Sequence, residues 1–225
     1  MYYGSSWLIF VLPAMLFAAF AQMKIKSSFN KYSKIPNDSG YTGAQVARLI
    51  LDKNGLNSIV VESVAGNLTD HYDPGSGVIR LSNNVYSGAS IASMSVAAHE
   101  VGHAIQHSEG YVPLILRNNI APVAGFGSRL VGIFVLLGLI MSLPMFIDIG
   151  VILFLAVVAF QVITLPVEFN ASRRALLQLE SISSAESLVP AKKVLNAAAL
   201  TYVAATLVAV AQLLRLLSMS NRRRN

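Results

Sequence analysis

The sequence predicts an α-helical membrane protein that carries a small α+β domain. Of its 225 residues, 54% are hydrophobic and only 12% are charged, whereas a globular domain usually has about 25% charged residues. The mean hydropathy is +0.58, and four apolar stretches are each long enough to cross a bilayer core, which takes roughly 20 helical residues. The polar sequence between these stretches contains both helix and strand patterns.

The first apolar stretch, about Trp7 to Met23, is predicted to be an uncleaved membrane anchor. Tyr2 and Tyr3 precede it and form, with Trp7, an aromatic flank typical of a membrane interface. A cleaved signal peptide is the alternative, because residues 18–21 are mostly small. No basic segment precedes the stretch and lysines follow it directly, which favours the anchor.

The other three stretches predict a hairpin and a final span. The second, about Pro122 to Leu143, and the third, about Phe146 to Leu165, are joined by a very short turn, so they are expected to be antiparallel. The fourth runs from about Ala197 to Leu217. An amphipathic or buried helix is the alternative for the fourth stretch, since Gln212 and Arg215 lie near its end.

The distribution of basic residues predicts the orientation. The segment after the first span and the segment between spans three and four share one side and hold most of the lysines and arginines. The positive-inside rule therefore places both segments in the cytoplasm and both termini outside. The arginines at 222–224 oppose this orientation unless the fourth stretch does not cross.

The net charge of +6 and the absence of cysteine restrict the class of protein further. The basic residues lie beside apolar stretches and do not alternate with aromatic residues, so we interpret them as topology determinants and contacts to anionic lipid. A nucleic-acid partner is therefore not expected. The lack of cysteine excludes disulfides and thiolate metal ligands, and it fits a domain that faces a reducing compartment.

The polar sequence predicts short elements bounded by turn-forming residues. Residues 70–77 are rich in Asp, Pro and Gly and are predicted to form a turn between two strands. The predicted elements are a helix from Thr42 to Lys53 that is N-capped near Thr42 and ended by Gly55, strands from Ser58 to Ser63 and from Val78 to Ser82, a helix from Ala89 to Ser108 that stops at Gly110, and a helix from Phe169 to Leu188 that is closed by Pro190.

The helix predicted at 89–108 contains the motif His99-Glu100-Val101-Gly102-His103. Residues four apart lie about 40° apart around a helix axis, so the two imidazoles can bind one Zn²⁺ from the same face. Glu100 would lie beside the metal as a general base. Two histidines, a nearby carboxylate and an open coordination position are the parts of a peptide-hydrolysing zinc site.

A catalytic zinc site needs a third protein ligand, and three residues are candidates. His107 continues the four-residue spacing, but it lies about 12 Å along the helix from His99, which is too far for one metal on a straight helix. His71 lies in a predicted turn, where histidines are usually exposed. Glu168 directly follows the third span. A carboxylate there usually interacts with the helix dipole, but a glutamate from a second helix also completes many two-histidine sites.

Three segments, in order, carry a resemblance to a known family. They are Asp70–Pro74 with Val78–Ser82, Ala97–Gln106, and the pattern Glu168-Phe-x-Ala-Ser-x-Arg-Ala. Together they resemble the YugP-type family of bacterial membrane-bound neutral zinc metallopeptidases over nearly the whole chain. The family is similar in plan to the HtpX and Ste24 membrane proteases, in which a Glu-Phe-x-Ala-Asp segment gives the third zinc ligand.

The resemblance implies a gluzincin-like zinc endopeptidase with a zincin-like catalytic domain. One catalytic Zn²⁺ would be held by His99, His103 and Glu168, and Glu100 would be the general base. Ser172 stands where the HtpX and Ste24 proteases carry the Asp that orients a zinc-bound histidine, so either Ser172 or another group would do this here. The transition state would be stabilised by one or more of four residues: His71, His107, Arg173 and Arg174. For Arg174, pairing with Glu180 or with lipid phosphate is the alternative.

The resemblance and the layout also predict a location and a class of substrate. The protein would be a multi-pass protein of the bacterial cell membrane with its active site facing the cytoplasm, acting on peptides or membrane proteins. Its oligomeric state stays open. We predict that the strand of Val78, Ile79, Arg80, Leu81 and Ser82 is an edge strand that binds substrate by β-augmentation. The alternative is an ordinary half-buried hairpin strand.

These predictions divide the chain into five parts. They are a transmembrane anchor (1–23), a catalytic domain with the motif helix (24–120), a transmembrane hairpin (121–166), a helix that supplies the third ligand (167–193), and a fourth transmembrane helix with a basic tail (194–225). Two other functions are considered, a non-catalytic scaffold in which zinc holds two helices together, and a small transporter or channel. A structural zinc usually has four protein ligands, and cysteine is absent, which favours catalysis over the scaffold.

Overall fold

The structure of the protein is a computed structural model that describes residues 7–224, with side chains described up to residue 221. Tyr2 and Tyr3, and the side chains of the arginines at 222–224, lie outside the described residues. The helices are α1 (Leu12–Tyr32, after a π-helical turn at Trp7–Val11), α2 (Gly43–Lys53), α3 (Asn83–Tyr86), α4 (Ile91–Ser108), α5 (Val112–Ile140), α6 (Pro144–Leu179) and α7 (Ala185–Arg224). The strands are β1 (Val60–Val64), β2 (His71–Asp73) and β3 (Val78–Ser82).

This architecture is that of an α-helical membrane protein with a small α+β part, as the composition predicted. Four segments of the described chain are long and apolar enough to cross a membrane: Trp7–Tyr32, Val112–Ile140, Pro144–Leu179 and Ala185–Asn221. Contacts divide the chain into two compact units. The membrane unit comprises the described residues within Met1–Gln22, Val112–Pro166 and Leu200–Asn225, and the α+β unit comprises Met23–Tyr111 and Val167–Ala199.

The helix predicted from Phe169 to Leu188 is wrong at both ends. Helix α6 continues through Pro166 and ends at Leu179, and Pro190 lies inside α7 and does not close a helix. The break falls at residues 180–184, which contain three serines. Serine competes for backbone hydrogen bonds and favours helix caps. The carbonyl of Ser184 accepts the first hydrogen bonds of α7, so the helix begins there, before the proline.

Helix α2 is bounded as the sequence predicted. The hydroxyl of Thr42 accepts a hydrogen bond from the backbone N–H of Gln45, and the Gln45 side chain accepts one from the backbone N–H of Thr42. This reciprocal pair is a capping box, which satisfies two N–H groups that a helix leaves free. The chain leaves the helix through Gly55, whose φ of +71° suits glycine because it has no Cβ.

The sheet has the order β1-β3-β2, with β1 parallel and β2 antiparallel to β3. The prediction that Val78–Ser82 is an edge strand is therefore wrong, because β3 is hydrogen-bonded on both sides and has no free edge for a substrate.

His71 was predicted in a turn but lies in β2. The turn is shorter than predicted: the carbonyl of Asp73 accepts a hydrogen bond from the N–H of Gly77, 3.0 Å away, and residues 71–73 stay extended.

The core of the α+β unit is built around α4. Every residue from Ile91 to Gln106 except Val96 is buried. Helix α2, strand β3 and the 167–199 segment supply the apolar side chains around it, among them Leu51, Ile79 and Leu179. A helix that is buried on nearly all sides holds its side chains in fixed rotamers, which suits a helix that carries the motif.

The membrane unit contains the hairpin that the sequence predicted. Helix α6 begins at Pro144, and proline is favoured at the first position of a helix. Ser142 in the connecting turn has a φ of +53°. Glycines allow close packing within the pair: a Cβ built on Gly127 would lie 2.9 Å from the carbonyl oxygen of Leu153. The Thr206 hydroxyl of α7 donates a hydrogen bond to the carbonyl of Gln161, 3.3 Å away.

Candidate metal centre

Three side chains from two helices of the α+β unit converge on one point. His99 and His103 come from α4 and Glu168 comes from α6, and one ligand atom from each lies within 4.8 Å of the other two. All three side chains are largely buried, with Glu168 only 4% exposed. In the described part of the chain, they are the group of His, Asp and Glu residues whose geometry could hold a metal ion.

The spacing of these atoms fits a tetrahedral zinc ion. The Oε2 atom of Glu168 lies 3.2 Å from Nε2 of His99 and 3.6 Å from Nε2 of His103. Tetrahedral zinc with bonds of about 2.1 Å separates its ligand atoms by roughly 3.4 Å. The rings of the two histidines are nearly perpendicular, at 84°. A cation at this point would offset the charge of the buried Glu168 carboxylate and could be bound by Nε2 of each histidine.

A hydrogen-bond chain fixes which nitrogen of His103 is free. The Nε2 atom of Gln106 donates to the carbonyl of Val167 at 2.8 Å and to Oδ1 of Asn170 at 2.9 Å. With both donors used, Oε1 of Gln106 can only accept from Nδ1 of His103, 3.0 Å away. Nδ1 therefore carries a proton, and in the neutral ring Nε2 has the lone pair that a metal ion would bind. Gln106 is completely buried, so no water competes for these bonds.

Ser172 lies against the other histidine. Its Oγ atom is 3.2 Å from Nδ1 of His99, and Ser172 is one helical turn after Glu168 on α6. A hydroxyl can accept the Nδ1 proton and so leave Nε2 free for a metal, as carboxylates or carbonyls do in other sites. Because Ser172 has no charge, it raises the basicity of the ring less than an aspartate would.

Arg174 belongs to the same chain of polar groups as Gln106 and Asn170. It is not part of the metal group, which consists of His99, His103 and Glu168. Its Nε donates to Oδ1 of Asn170 at 2.7 Å, and its guanidinium lies 2.6 Å from the carboxylate of Glu109. Glu180, one of the two alternative partners considered for Arg174, is not the carboxylate observed; Glu109 at the end of the motif helix is. Arg174 thus links α4 and α6 at the side of the site where Gln106 lies.

Glu100 is buried next to the metal group, with 8% of its surface exposed. Burial is the largest of the influences that raise the pKa of its carboxyl to about 7; electrostatic interaction with His99 lowers it, and the carboxylates of Glu168 and Asp70 raise it. The backbone N–H of Tyr72 in strand β2 also donates a hydrogen bond to it. A bound divalent cation would favour the ionised form. The hydrogen bond from Tyr72 connects the Glu100 carboxylate to the edge strand β2.

Gly102 allows the two helices to approach closely enough to share a metal. A Cβ built on it would lie 2.6 Å from the carbonyl oxygen of Ala171, a distance that real Cβ atoms do not reach. A glycine inside a helix costs about 1 kcal/mol relative to alanine, so this position trades helix stability for the contact. The small Ala171 and Ala175, both fully buried, complete the contact on α6.

The remaining predicted site residues lie outside the metal group. His71 is exposed and its Nδ1 lies 2.8 Å from the carbonyl oxygen of Thr69. The Nδ1 of His107 lies 2.9 Å from the Tyr72 hydroxyl, one turn beyond His103, so it is not a ligand in this geometry. Arg173 is exposed on α6. These positions give no support for His71 or Arg173 as transition-state donors.

Sequence reasoning missed the residues that support the ligands. Gln106 follows His103 by three residues, a spacing at which helical side chains meet, and this could have identified it. Gly102 was also a detectable signal, because glycine inside a helix lowers helix stability and often indicates close packing at that position. The contacts of Asn170 and of the Tyr72 backbone depend on tertiary packing and have no local sequence signal.

Comparisons with known proteins identify a family and one relative. The family model described as "putative neutral zinc metallopeptidase" matches residues 7–221. A protein of Bacillus subtilis (strain 168) described as "putative membrane protease YugP" is 52% identical over 210 residues, which cover 92% of this chain and 93% of that protein. No solved structure matches the chain.

Proposed function

The chain belongs to the family described as "putative neutral zinc metallopeptidases", and we propose that it is a membrane-anchored endopeptidase in which His99, His103 and Glu168 hold one zinc ion. The observation that carries this proposal is the convergence of two imidazole nitrogens and one buried carboxylate within 4.8 Å. Three protein ligands leave one coordination position open, as in catalytic sites, whereas structural zinc sites are closed by a fourth ligand. The scaffold function therefore has less support.

The residues around the metal group have separate roles in this proposal. Zinc bound there supplies a Lewis acid that polarises a peptide carbonyl and acidifies water. A carboxylate oxygen of Glu100 takes the proton from the attacking water and later delivers it to the nitrogen of the departing amine. Gln106 and Ser172 hold the imidazole rings in the tautomer that binds metal. The Tyr72 N–H keeps the Glu100 carboxylate pointing into the site.

We expect chelation to test the metal requirement directly. Purified full-length protein in detergent should contain about one zinc per chain by elemental analysis, as a single three-ligand site requires. It should cleave an unfolded substrate such as casein. A chelator should abolish cleavage and added zinc should restore it. Cleavage that continues after the zinc has been removed would contradict the proposal.

Strand β2 takes the place of β3 as the proposed substrate-binding edge. It pairs with β3 on one side only, and its Tyr72 N–H reaches Glu100 on the other, so the free edge of β2 faces the catalytic carboxylate. In an antiparallel pair, the N–H and C=O of one residue point to the same side. The carbonyl of Tyr72 is therefore oriented to accept a hydrogen bond from an extended peptide.

Substrate peptides with single N-methyl groups test this edge. N-methylation removes the N–H donor of one substrate residue and adds bulk. We expect KM to rise strongly when the methylated residue is the one that pairs with Tyr72. Methylation of either neighbouring residue should change KM little, because the N–H groups of those residues point to the other side of the strand. Steady-state cleavage of a set of peptides methylated at successive positions measures this. An equal response at all positions would show that β2 does not bind the substrate as a strand.

The active site is proposed to face the cytoplasm, with both termini outside. The support is the concentration of basic residues in the segments that belong to the α+β unit. Reporter fusions at each end of the chain and in the loop at 180–184 should give opposite signals for ends and loop. Cytoplasmic signals from both ends would mean that the orientation is reversed.

A further inference from the structure

An apolar groove of about 420 Å³ lies within the membrane unit, between helices α5, α6 and α7. Its volume is in the range of small-ligand sites. Most of its lining is aliphatic or aromatic, from Val131, Val135, Leu136, Leu139, Phe154 and Leu216. No acidic residue is among the described residues that line it. The groove therefore offers an apolar surface without negative charge.

One cation lines this groove. Arg215 of α7 is partly buried, and its Nε atom is the buried side-chain nitrogen or oxygen that lacks a hydrogen-bond partner in the described part of the chain. A buried N–H without a partner costs free energy, and more so in a bilayer, where water is scarce. Gln212, one turn earlier, also lines the groove and brings an amide with two further donors.

The position of Arg215 along its helix places it near a bilayer interface. It follows Leu200, the first α7 residue of the membrane unit, by 15 residues, or about 22 Å of helix. A hydrocarbon core is about 30 Å thick, so Arg215 lies toward the end of the span that is nearer the C-terminus. An arginine at this depth reaches the level of lipid phosphates by extending its side chain.

We propose that the groove binds one anionic phospholipid. The phosphate accepts hydrogen bonds from the guanidinium of Arg215 and from the amide of Gln212, and one acyl chain lies along the apolar lining. Guanidinium groups bind phosphate with paired, charge-assisted hydrogen bonds. An anionic headgroup is favoured over a zwitterionic one because the groove has no carboxylate, among its described lining residues, to bind a positively charged headgroup.

Two glycines of α5 provide a matched pair of variants. A Cβ built on Gly132, which lines the groove, meets no atom within 4 Å. The Cβ of a phenylalanine at this position therefore has room, and we expect its ring to occupy the groove. Gly125 lies on the same helix, has equally open space and does not line the groove. Gly132→Phe should fill the lipid site, and Gly125→Phe should leave it free.

Arg129 is the corresponding control for charge. It is an exposed arginine of α5 that does not line the groove. If lipid were held only by general attraction to basic residues, Arg129→Gln and Arg215→Gln would have the same effect. If the groove binds lipid specifically, only Arg215→Gln should lose the bound lipid.

Native mass spectrometry of the full-length protein in detergent tests the proposal, with phosphatidylglycerol and phosphatidylcholine of identical acyl chains as probes. We expect the wild type to retain one phosphatidylglycerol in preference to phosphatidylcholine. Arg215→Gln should weaken phosphatidylglycerol binding by about tenfold, as the loss of one charge-assisted contact does. Gly132→Phe should abolish the bound lipid, and both control variants should bind like the wild type.

Three results would overturn the proposal. They are equal retention of both lipids by the wild type, unchanged binding by Arg215→Gln, and equal losses in the Arg129 and Arg215 variants or in the two glycine variants. Circular dichroism on each variant confirms that the helices are intact. Because the readout is bound lipid and not proteolysis, the outcome is independent of the proposed peptidase activity.

Discussion

The Glu100→Gln variant should keep its zinc and lose peptide-bond hydrolysis by roughly 10²- to 10⁴-fold, which is the usual contribution of general acid–base catalysis. Glu100 is not one of the three converging ligands, so the amide leaves the metal group intact. The amide oxygen still accepts the hydrogen bond from the Tyr72 N–H. Glutamine therefore preserves the geometry and removes only the ability to accept a proton.

The measurement combines zinc content with casein cleavage on the same preparations. Glu186→Gln is the matched control, because it makes the same chemical change at an exposed position on α7 and should behave like the wild type. A Glu100→Gln protein that holds zinc and cleaves at the wild-type rate would exclude Glu100 as the base. Loss of zinc together with activity would show that Glu100 supports the metal site itself.

The motif helix is the element for which sequence and structure agree most closely. The spacing of His99 and His103 predicted that both imidazoles lie on one helix face, and Nε2 atoms of both face the same carboxylate. Local spacing is sufficient here because helix geometry is the same in every protein. The end of the helix at Gly110, with φ of +66°, was equally predictable, because a left-handed residue that ends a helix is usually glycine.

The strand order could not be predicted from alternation alone. Strands β1 and β3 are parallel neighbours, so the hairpin partner β2 lies outside them, and no local pattern encodes this arrangement. One signal was available. Val78 and Ile79 are adjacent apolar residues in β3 and both are buried, which is typical of a central strand covered on both faces. An edge strand more often carries exposed polar or charged residues, as β1 does at Glu62 and Ser63.

The approach of Glu168 to the motif depends on tertiary structure. Glu168 lies 69 residues from His99 along the chain, and no spacing rule brings them together. The resemblance to a known family identified Glu168, and the structure places its Oε2 atom 3.2 Å from the histidine. That α6 continues through Pro166 could not be anticipated. The glycine at position 102 indicates a close contact, but the sequence does not show that its partner is Ala171 of α6.

The Glu168→Gln variant should lose zinc affinity by more than the roughly 10- to 100-fold that is typical when a supporting outer residue is removed. Its carboxylate is the one negative charge among the three converging ligands, and an amide oxygen is a weaker, uncharged donor to zinc. Two neutral imidazoles remain, and zinc bound by only two protein ligands dissociates readily. Activity should fall with the metal content and should not recover at zinc concentrations that restore the chelated wild type.

The fold should survive this change. In the zinc-free protein a protonated Nε2 of His99, 3.2 Å from Oε2 of Glu168, can donate a hydrogen bond to that carboxylate, and the amide oxygen of the variant can accept the same bond. Because the shape and the acceptor are kept, we expect the thermal midpoint of the zinc-free variant to lie close to that of the zinc-free wild type. Glu180→Gln, an exposed position just after α6, should bind zinc normally. Undiminished zinc affinity in Glu168→Gln would mean that another residue is the third ligand. A variant that unfolds without zinc while the wild type does not would mean that Glu168 acts through stability, and the two cases are separated by measuring the zinc content and the thermal midpoint of the same sample.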